Sequence, residues 1–238
     1  MVTVVHGLNN RPGAMDPLIT RLNGQGYHAL RLSLHGYEEP PERVEQWWCE
    51  VVRRGHAEAR ARAPDLPLGH LSYSLGSLVA VESFREDPAT VPEACVFLAP
   101  ALALTGVASL IRLIALLRPF PAALRSKTPA EVRARDATPL VEYRAMLRLL
   151  DRSPVETPTA AASAPTLVLM SPADGAVSYR KVSALLRRPG LRHWHLHPVR
   201  PAQGTPDHHL LISAEAVGET CWEEIVGWTL AHLLAHLH

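Results

Sequence analysis

Six short apolar runs, each followed by a loop and most by a helix-patterned segment, constrain this chain more than any other feature. Val2 to Val5, Tyr27 to Leu34, Leu68 to Ser72, Ala94 to Ala99, Pro165 to Ser171 and Leu191 to Pro198 read as strands. The first is wholly β-branched, and the fifth is very apolar and bounded by Pro165 and Pro172. Helical periodicity fills several gaps. Asp16-Pro17 opens a helix to about Gln25, with Leu18, Ile19 and Leu22 on one face. Glu42 to Ala63 carries Val44, Trp47, Val51 and Val52 as its buried stripe. Leu75 to Arg85 follows the third strand. Glu219 to His236 closes the chain with Trp222, Ile225, Val226, Leu230, Leu233 and Leu234 inward. Short apolar strands alternating with helices imply an α/β fold: a mostly parallel sheet of about six strands, covered on both faces.

Ligands of such sheets bind outside the carboxyl ends of the strands. His6, His35, Ser74, Pro100 and Asp174 all fall just past an expected strand end. The 238 residues, 47% hydrophobic, suffice for one core with an insertion. With 24 basic and 23 acidic residues and no long basic block, nothing asks for nucleic acid. Cys49, Cys95 and Cys221 are odd in number and far apart, which argues against a disulfide framework and suits a reducing cytoplasm. The opening MVTVVHG has no signal-peptide pattern, and no apolar run is long enough to span a membrane.

Residues 101–160 break the strand–helix rhythm, leaving 1–100 and 161–238 as the core. An apolar helix over Leu102 to Leu117, stopped at Arg118-Pro119-Phe120-Pro121, is expected there. Further helical pieces span Glu131 to Arg135 and Leu140 to Leu150, before a Pro/Thr/Ala linker from Ser153 to Pro165. We read the region as a small helical cap over the site, against the alternative that it pads the core or forms a dimer contact.

Ser72-Tyr73-Ser74-Leu75-Gly76 joins the third strand to its helix through small residues. Such a corner can hold the hydroxyl of Ser74 exposed at the tip of a sharp turn, or be a Ser-rich corner without chemistry. A serine nucleophile needs a base within hydrogen-bond reach and a carboxylate to orient that base. Asp174, after the fifth strand, is the candidate carboxylate. His208 and His209, after the last strand, are the candidate bases. Backbone N–H groups of Leu8 and Leu75 could hold an oxyanion. His193, His195 and His197 alternate onto one face of the last strand, but no Asp, Glu or Cys joins them locally, so we expect no metal site.

These motifs, taken in order, resemble the α/β-hydrolases of the esterase/lipase type. His6-Gly7-Leu8 is similar to the oxyanion loop, and Leu34-His35-Gly36-Tyr37 resembles that family's Gly-His-Gly-like loop, without its first Gly. Ser72 to Gly76 is similar to the nucleophile elbow, with Ser in place of the leading Gly. Pro172 to Val177 is similar to the acid turn, and His208 to Ile212 to the histidine loop. The resemblance implies Ser74 as nucleophile, Asp174 as orienting acid and Leu8 and Leu75 as oxyanion donors. In the family the catalytic histidine is followed by a spacer and an apolar stretch. That pattern selects His208 as base, with His209 as spacer. His6, Asn9, His35, Tyr73 and His209 then fall near the pocket. The two strands that usually precede the His-Gly strand are missing, which leaves the first edge exposed or covered in a homodimer. The implied activity is hydrolysis of small or medium hydrophobic esters, with no cofactor. Thioesterase or amidase activity, or a non-catalytic binding role, are the alternatives.

Overall fold

The computed structural model describes residues 1–36, 43–109, 123–126, 128–152, 163–205 and 207–237. Its centre is a six-stranded sheet: β1 (Val2–Val5), β2 (Ala29–Leu32), β3 (Gly69–Tyr73), β4 (Ala94–Leu98), β7 (Thr166–Met170) and β8 (Trp194–Pro198). The spatial order is β2-β1-β3-β4-β7-β8, and every pairing is parallel. The expected α/β fold with a parallel sheet of six strands is therefore present, and among the described residues β2 is an edge of that sheet. Strand order reverses where β1 lies between β2 and β3, the kind of place where open α/β sheets form a crevice.

Alternation along the strands divides the core in two. Val5, Phe97, Val168 and Met170 face one apolar cluster, with Trp48, Leu78, Phe84 and Val182 from the helices Val44–Arg62, Leu75–Glu86 and Tyr179–Leu186. Val2, Val4, Leu71, Val96, Leu98 and Leu169 face the other, with Leu18, Leu22, Trp222 and Ile225 from the helices Asp16–Gly24 and Glu219–His236. The closing helix has the bounds expected from its pattern. Its stripe is narrower: Leu234 is exposed. In the Val44–Arg62 helix it is Trp48 rather than Trp47 that is fully buried, its indole N–H donating to Leu34 O at 3.0 Å.

The region after β4 differs from expectation. Residues 131–135 form turns and an isolated antiparallel bridge, Asn10 to Arg133, rather than a helix. A ribbon of β5 (Ala123–Arg125) and β6 (Ala137–Pro139), unforeseen in the pattern, flanks them. Three-residue strands give too few alternations to register as a period. Of the expected helix at 102–117, only Gly106–Ser109 is helical within the described residues, and Ile111 to Leu117 lie outside them. The linker residues 153–162 also lie outside them. The helix Leu140–Arg152 does form, and Ala145, Met146 and Leu149 pack into the first cluster. Its Arg148 donates through Nε and Nη2 to the two carboxylate oxygens of buried Glu45, at 2.7 and 2.6 Å. That paired geometry offsets the cost of burying the charge.

Among the described residues, no helix is long and apolar enough to cross a membrane.

Candidate active site

β3 delivers Ser74 to the carboxyl edge of the sheet, directly before the helix Leu75–Glu86. Its backbone sits at φ 51°, ψ −114°, a region that L-residues rarely occupy. The strain is held in place from both sides. Ser74 N–H donates to Leu98 O at 2.9 Å, and Ala101 N–H donates to Ser74 O at 3.1 Å. Gly76 permits the close approach that follows: a Cβ there would sit 2.7 Å from His6 O and 3.0 Å from Val5 O. The leading Ser72 is fully buried, and its hydroxyl donates to Ser77 Oγ at 3.0 Å. Its side chain is thus tied inside the corner, away from the exposed tip.

The partner of Ser74 is His209. The serine hydroxyl donates to His209 Nε2 at 2.8 Å, and His209 Nδ1–H donates to Asp174 Oδ2 at 2.7 Å. A carboxylate at Nδ1 fixes the proton there and leaves Nε2 as acceptor. Asp174 Oδ1 accepts two backbone N–H groups, from Ala176 and Val177, both at 2.8 Å. Those bonds anchor the carboxylate in its turn after β7. The expectation for His208 is corrected: the geometry it was to supply belongs to its neighbour. The reason is local. Asp207 Oδ1 accepts the backbone N–H of His209 at 2.8 Å, an Asx turn that swings His209 toward the serine. His208 points elsewhere, with Nδ1 buried and without a hydrogen-bond partner among the described residues. Tyr73 is buried beneath, its ring 5.3 Å from that of His209. Burial first, then Asp207 and Asp174, push its phenol well above the usual range.

The other wall is the loop after β1. His6 accepts Leu34 N–H at Nε2 (3.0 Å), so its Nδ1–H donates to Gly7 O (2.8 Å). Its ring stacks on His35 at 4.7 Å. Burial drives its pKa down to about 3 against the Gly7 bond, with His35 adding to the fall, so the ring is neutral at pH 7. His35 Nε2–H donates to Asn10 O at 2.7 Å. Both histidines therefore brace this loop, His6 through both ring nitrogens and His35 through Nε2. Leu8 and Leu75 line one small cavity together with Asn9, Trp48 and Glu142. Sequence reasoning did not place Trp48 or Glu142 at this cavity, and it weighed Asp207 only as a neighbour of His208, not as the acceptor of the His209 N–H. For Asp207 a signal existed: an Asp two residues before a loop histidine can capture its N–H.

Outside this site, the His197 ring lies tilted against Trp228 with centroids 4.2 Å apart, and His193 Nε2 accepts from Arg192 Nε at 3.1 Å. Among the described residues, no three His, Cys, Asp or Glu side chains come together to hold a metal.

A family model described as serine aminopeptidase, S33, matches residues 1–200. No curated protein matches the chain significantly. Several solved structures share the fold. One reported for LipS and LipT, two metagenome-derived lipolytic enzymes, aligns at TM-score 0.74 and 19% identity, covering 99% of this chain and 93% of that one. The monoacylglycerol lipase of Paleococcus ferrophilus aligns at TM-score 0.66 and 18% identity, covering 97% and 94%. A soluble variant of the monoglyceride lipase of Saccharomyces cerevisiae aligns at TM-score 0.69 and 13% identity, covering 97% and 86%.

Proposed function

Since the chain belongs to the serine aminopeptidase S33 family of α/β-hydrolases, we propose that it is a serine hydrolase that cleaves carboxylic esters of small or medium hydrophobic substrates. The observation that carries the reading is the continuous relay Ser74–His209–Asp174, with bonds of 2.8 and 2.7 Å. Ser74 Oγ attacks the carbonyl carbon while its proton passes to His209 Nε2. Asp174 holds the imidazole and stabilises the imidazolium. The oxyanion lies toward the N–H groups of Leu8 and Leu75, each worth on the order of 3 kcal/mol of barrier in comparable sites. Collapse expels the alcohol, which takes the proton from His209, and leaves acyl-Ser74. Water, deprotonated by His209, then attacks the acyl carbon. Ser74 departs as its oxygen regains that proton, and the acid is released.

The inserted region is the proposed wall of the acyl pocket. Glu142, from its last helix, lines the cavity beside Leu8 and Leu75. The aminopeptidase family favours one second reading, an amidase acting on peptide-like substrates. Both use the same relay, but an amide demands protonation of a poorer leaving group. A panel of nitrophenyl esters, thioesters and aminoacyl anilides separates them. Ester turnover with negligible anilide turnover is expected. Turnover of anilides above esters would replace the ester reading with the amidase one. A chain that neither turns over any of them nor labels with a fluorophosphonate would be a binding protein.

A further inference from the structure

The loop that carries Leu8 is not held by its own strand alone. Beyond Gly7 it turns through Asn9, whose φ of 55° is left-handed. Three bonds to the inserted region fix that turn. Ala134 N–H donates to Asn9 O at 2.8 Å, Arg11 N–H donates to Val132 O at 2.9 Å, and Asn9 Nδ2 donates to Arg135 O at 2.8 Å. The Arg135 side chain closes the set. Its Nε–H faces Asn9 Oδ1 at 3.5 Å, and its Nη2 donates to Glu142. Glu142 is only 2% exposed and lines the cavity shared by Leu8 and Leu75. An uncompensated carboxylate there would oppose negative charge forming on the substrate oxygen.

We propose that Arg135 is a positioning residue of the oxyanion loop. Clamped between buried Glu142 and the side chain of Asn9, it keeps the left-handed turn and the Leu8 N–H fixed while neutralising the nearby carboxylate. It touches no reacting atom. The inserted region then prepares the oxyanion site directly, in addition to walling the pocket. The inference rests on the serine-hydrolase reading and deepens it.

The test uses the whole chain, a nitrophenyl butyrate assay and an alkyl trifluoromethyl ketone, whose serine adduct carries an oxyanion. In Arg135→Met, kcat should fall by about tenfold to a hundredfold while KM stays within about threefold, since only the transition state draws on the hole. Affinity for the ketone should fall by the same factor as kcat/KM. Because loss of the Arg135 charge beside buried Glu142 could unfold that variant, Arg135→Met with Glu142→Gln removes the buried charge but still leaves Asn9 unclamped. It should keep at least about a tenfold loss in kcat. Asn9→Gly retains the left-handed turn, loses the tie and should show the same split. Arg135→Lys, which can neutralise Glu142 but lacks the fork, should recover part of the loss. A folded double variant with parental kcat and parental ketone affinity overturns the proposal, as does a loss confined to KM. Ser74→Ala in the same assay keeps the two readings apart. If it turns over like the parent, Ser74 is not the nucleophile, and the serine-relay reading fails and this one with it. If it is inactive while the Arg135 variants match the parent, only the positioning role fails.

Discussion

Among the described residues two hydroxyl–imidazole clusters stand in contrast, and only the first has the surroundings that the proposed chemistry needs. In the first, Ser74 donates to His209, and Asp174 lies behind the ring. In the second, Thr3 Oγ1 lies 3.0 Å from both His56 Nε2 and His70 Nδ1, and the two rings meet at 3.0 Å. The distances are alike; the surroundings are not. Thr3 lies in the middle of β1, opposite His70 in the β1–β3 register, and is fully buried. No carboxylate bonds either ring: His56 Nδ1–H donates to Thr90 O at 2.7 Å, and His70 Nε2 has no partner among the described residues. Ser74 stands at a strand end, beside a cavity lined by two candidate oxyanion donors. A hydroxyl near an imidazole is thus not enough. Access, a carboxylate at the far nitrogen and donors for the developing charge separate a reactive pair from a structural one.

The sharpest way to break this contrast is at the hydroxyls. Ser74→Ala should abolish fluorophosphonate labelling and lower ester turnover by at least about a thousandfold, while Thr3→Ser leaves both near parental. Labelling that persists in Ser74→Ala and disappears on changing Thr3 would reverse the roles. The histidines come next. His209→Ala should cost at least about a thousandfold in kcat, and His208→Ala less than about tenfold. Equal losses would mean the ring assignment is wrong.

For the second cluster the expected effect is on stability instead. His70→Leu should lower the urea-unfolding free energy by about 1–3 kcal/mol, because Thr3 and His56 lose a partner in the core. kcat in the remaining folded fraction should be unchanged. Its pH behaviour refines the point. Burial brings His56 from 6.5 to about 4, against its bond to Thr90. The unfolded chain therefore takes up this proton first, near pH 6.5, and the folded protein only near pH 4. Stability is full above pH 6.5 and falls as pH drops toward 4, by on the order of 3 kcal/mol from this group. His56→Gln should flatten that part of the urea-midpoint profile, and an unchanged profile would remove His56 as its cause.

The contrast also explains what could be read in the sequence. The six strands were visible as short apolar runs ending in turn residues, and the helices Asp16–Gly24, Val44–Arg62, Leu75–Glu86, Leu140–Arg152 and Glu219–His236 because each keeps one period over many residues. Ser74 and Asp174 were visible because both sit at strand ends, where the sheet itself sets position. His209 lies in a loop whose shape depends on Asp207 folding back onto a backbone N–H. Spacing to the next apolar stretch says nothing about that turn, and so it favoured His208. The turns at 131–135 escaped for a similar reason. Their order comes from bonds to a loop some 120 residues earlier, Ala134 N to Asn9 O among them, not from a local period. Likewise, nothing in the spacing of Thr3, His56 and His70 announces that they meet. Pairing of β1 with β3 brings two of them together, and the Val44–Arg62 helix adds the third.

The bond from Ser74 to His209 spans 135 positions of the chain. Contacts that distant form only after the intervening loop entropy has been overcome, which places them late among folding events. β3, β4 and β7 must already lie side by side before the histidine loop has a carboxylate to meet and a serine to face. Collapsed or half-docked chains therefore hold a serine without a base. On the proposed relay, a nascent or heat-damaged molecule would be catalytically silent until its C-terminal fifth has docked, and recovered turnover after refolding would report the completed topology rather than its parts.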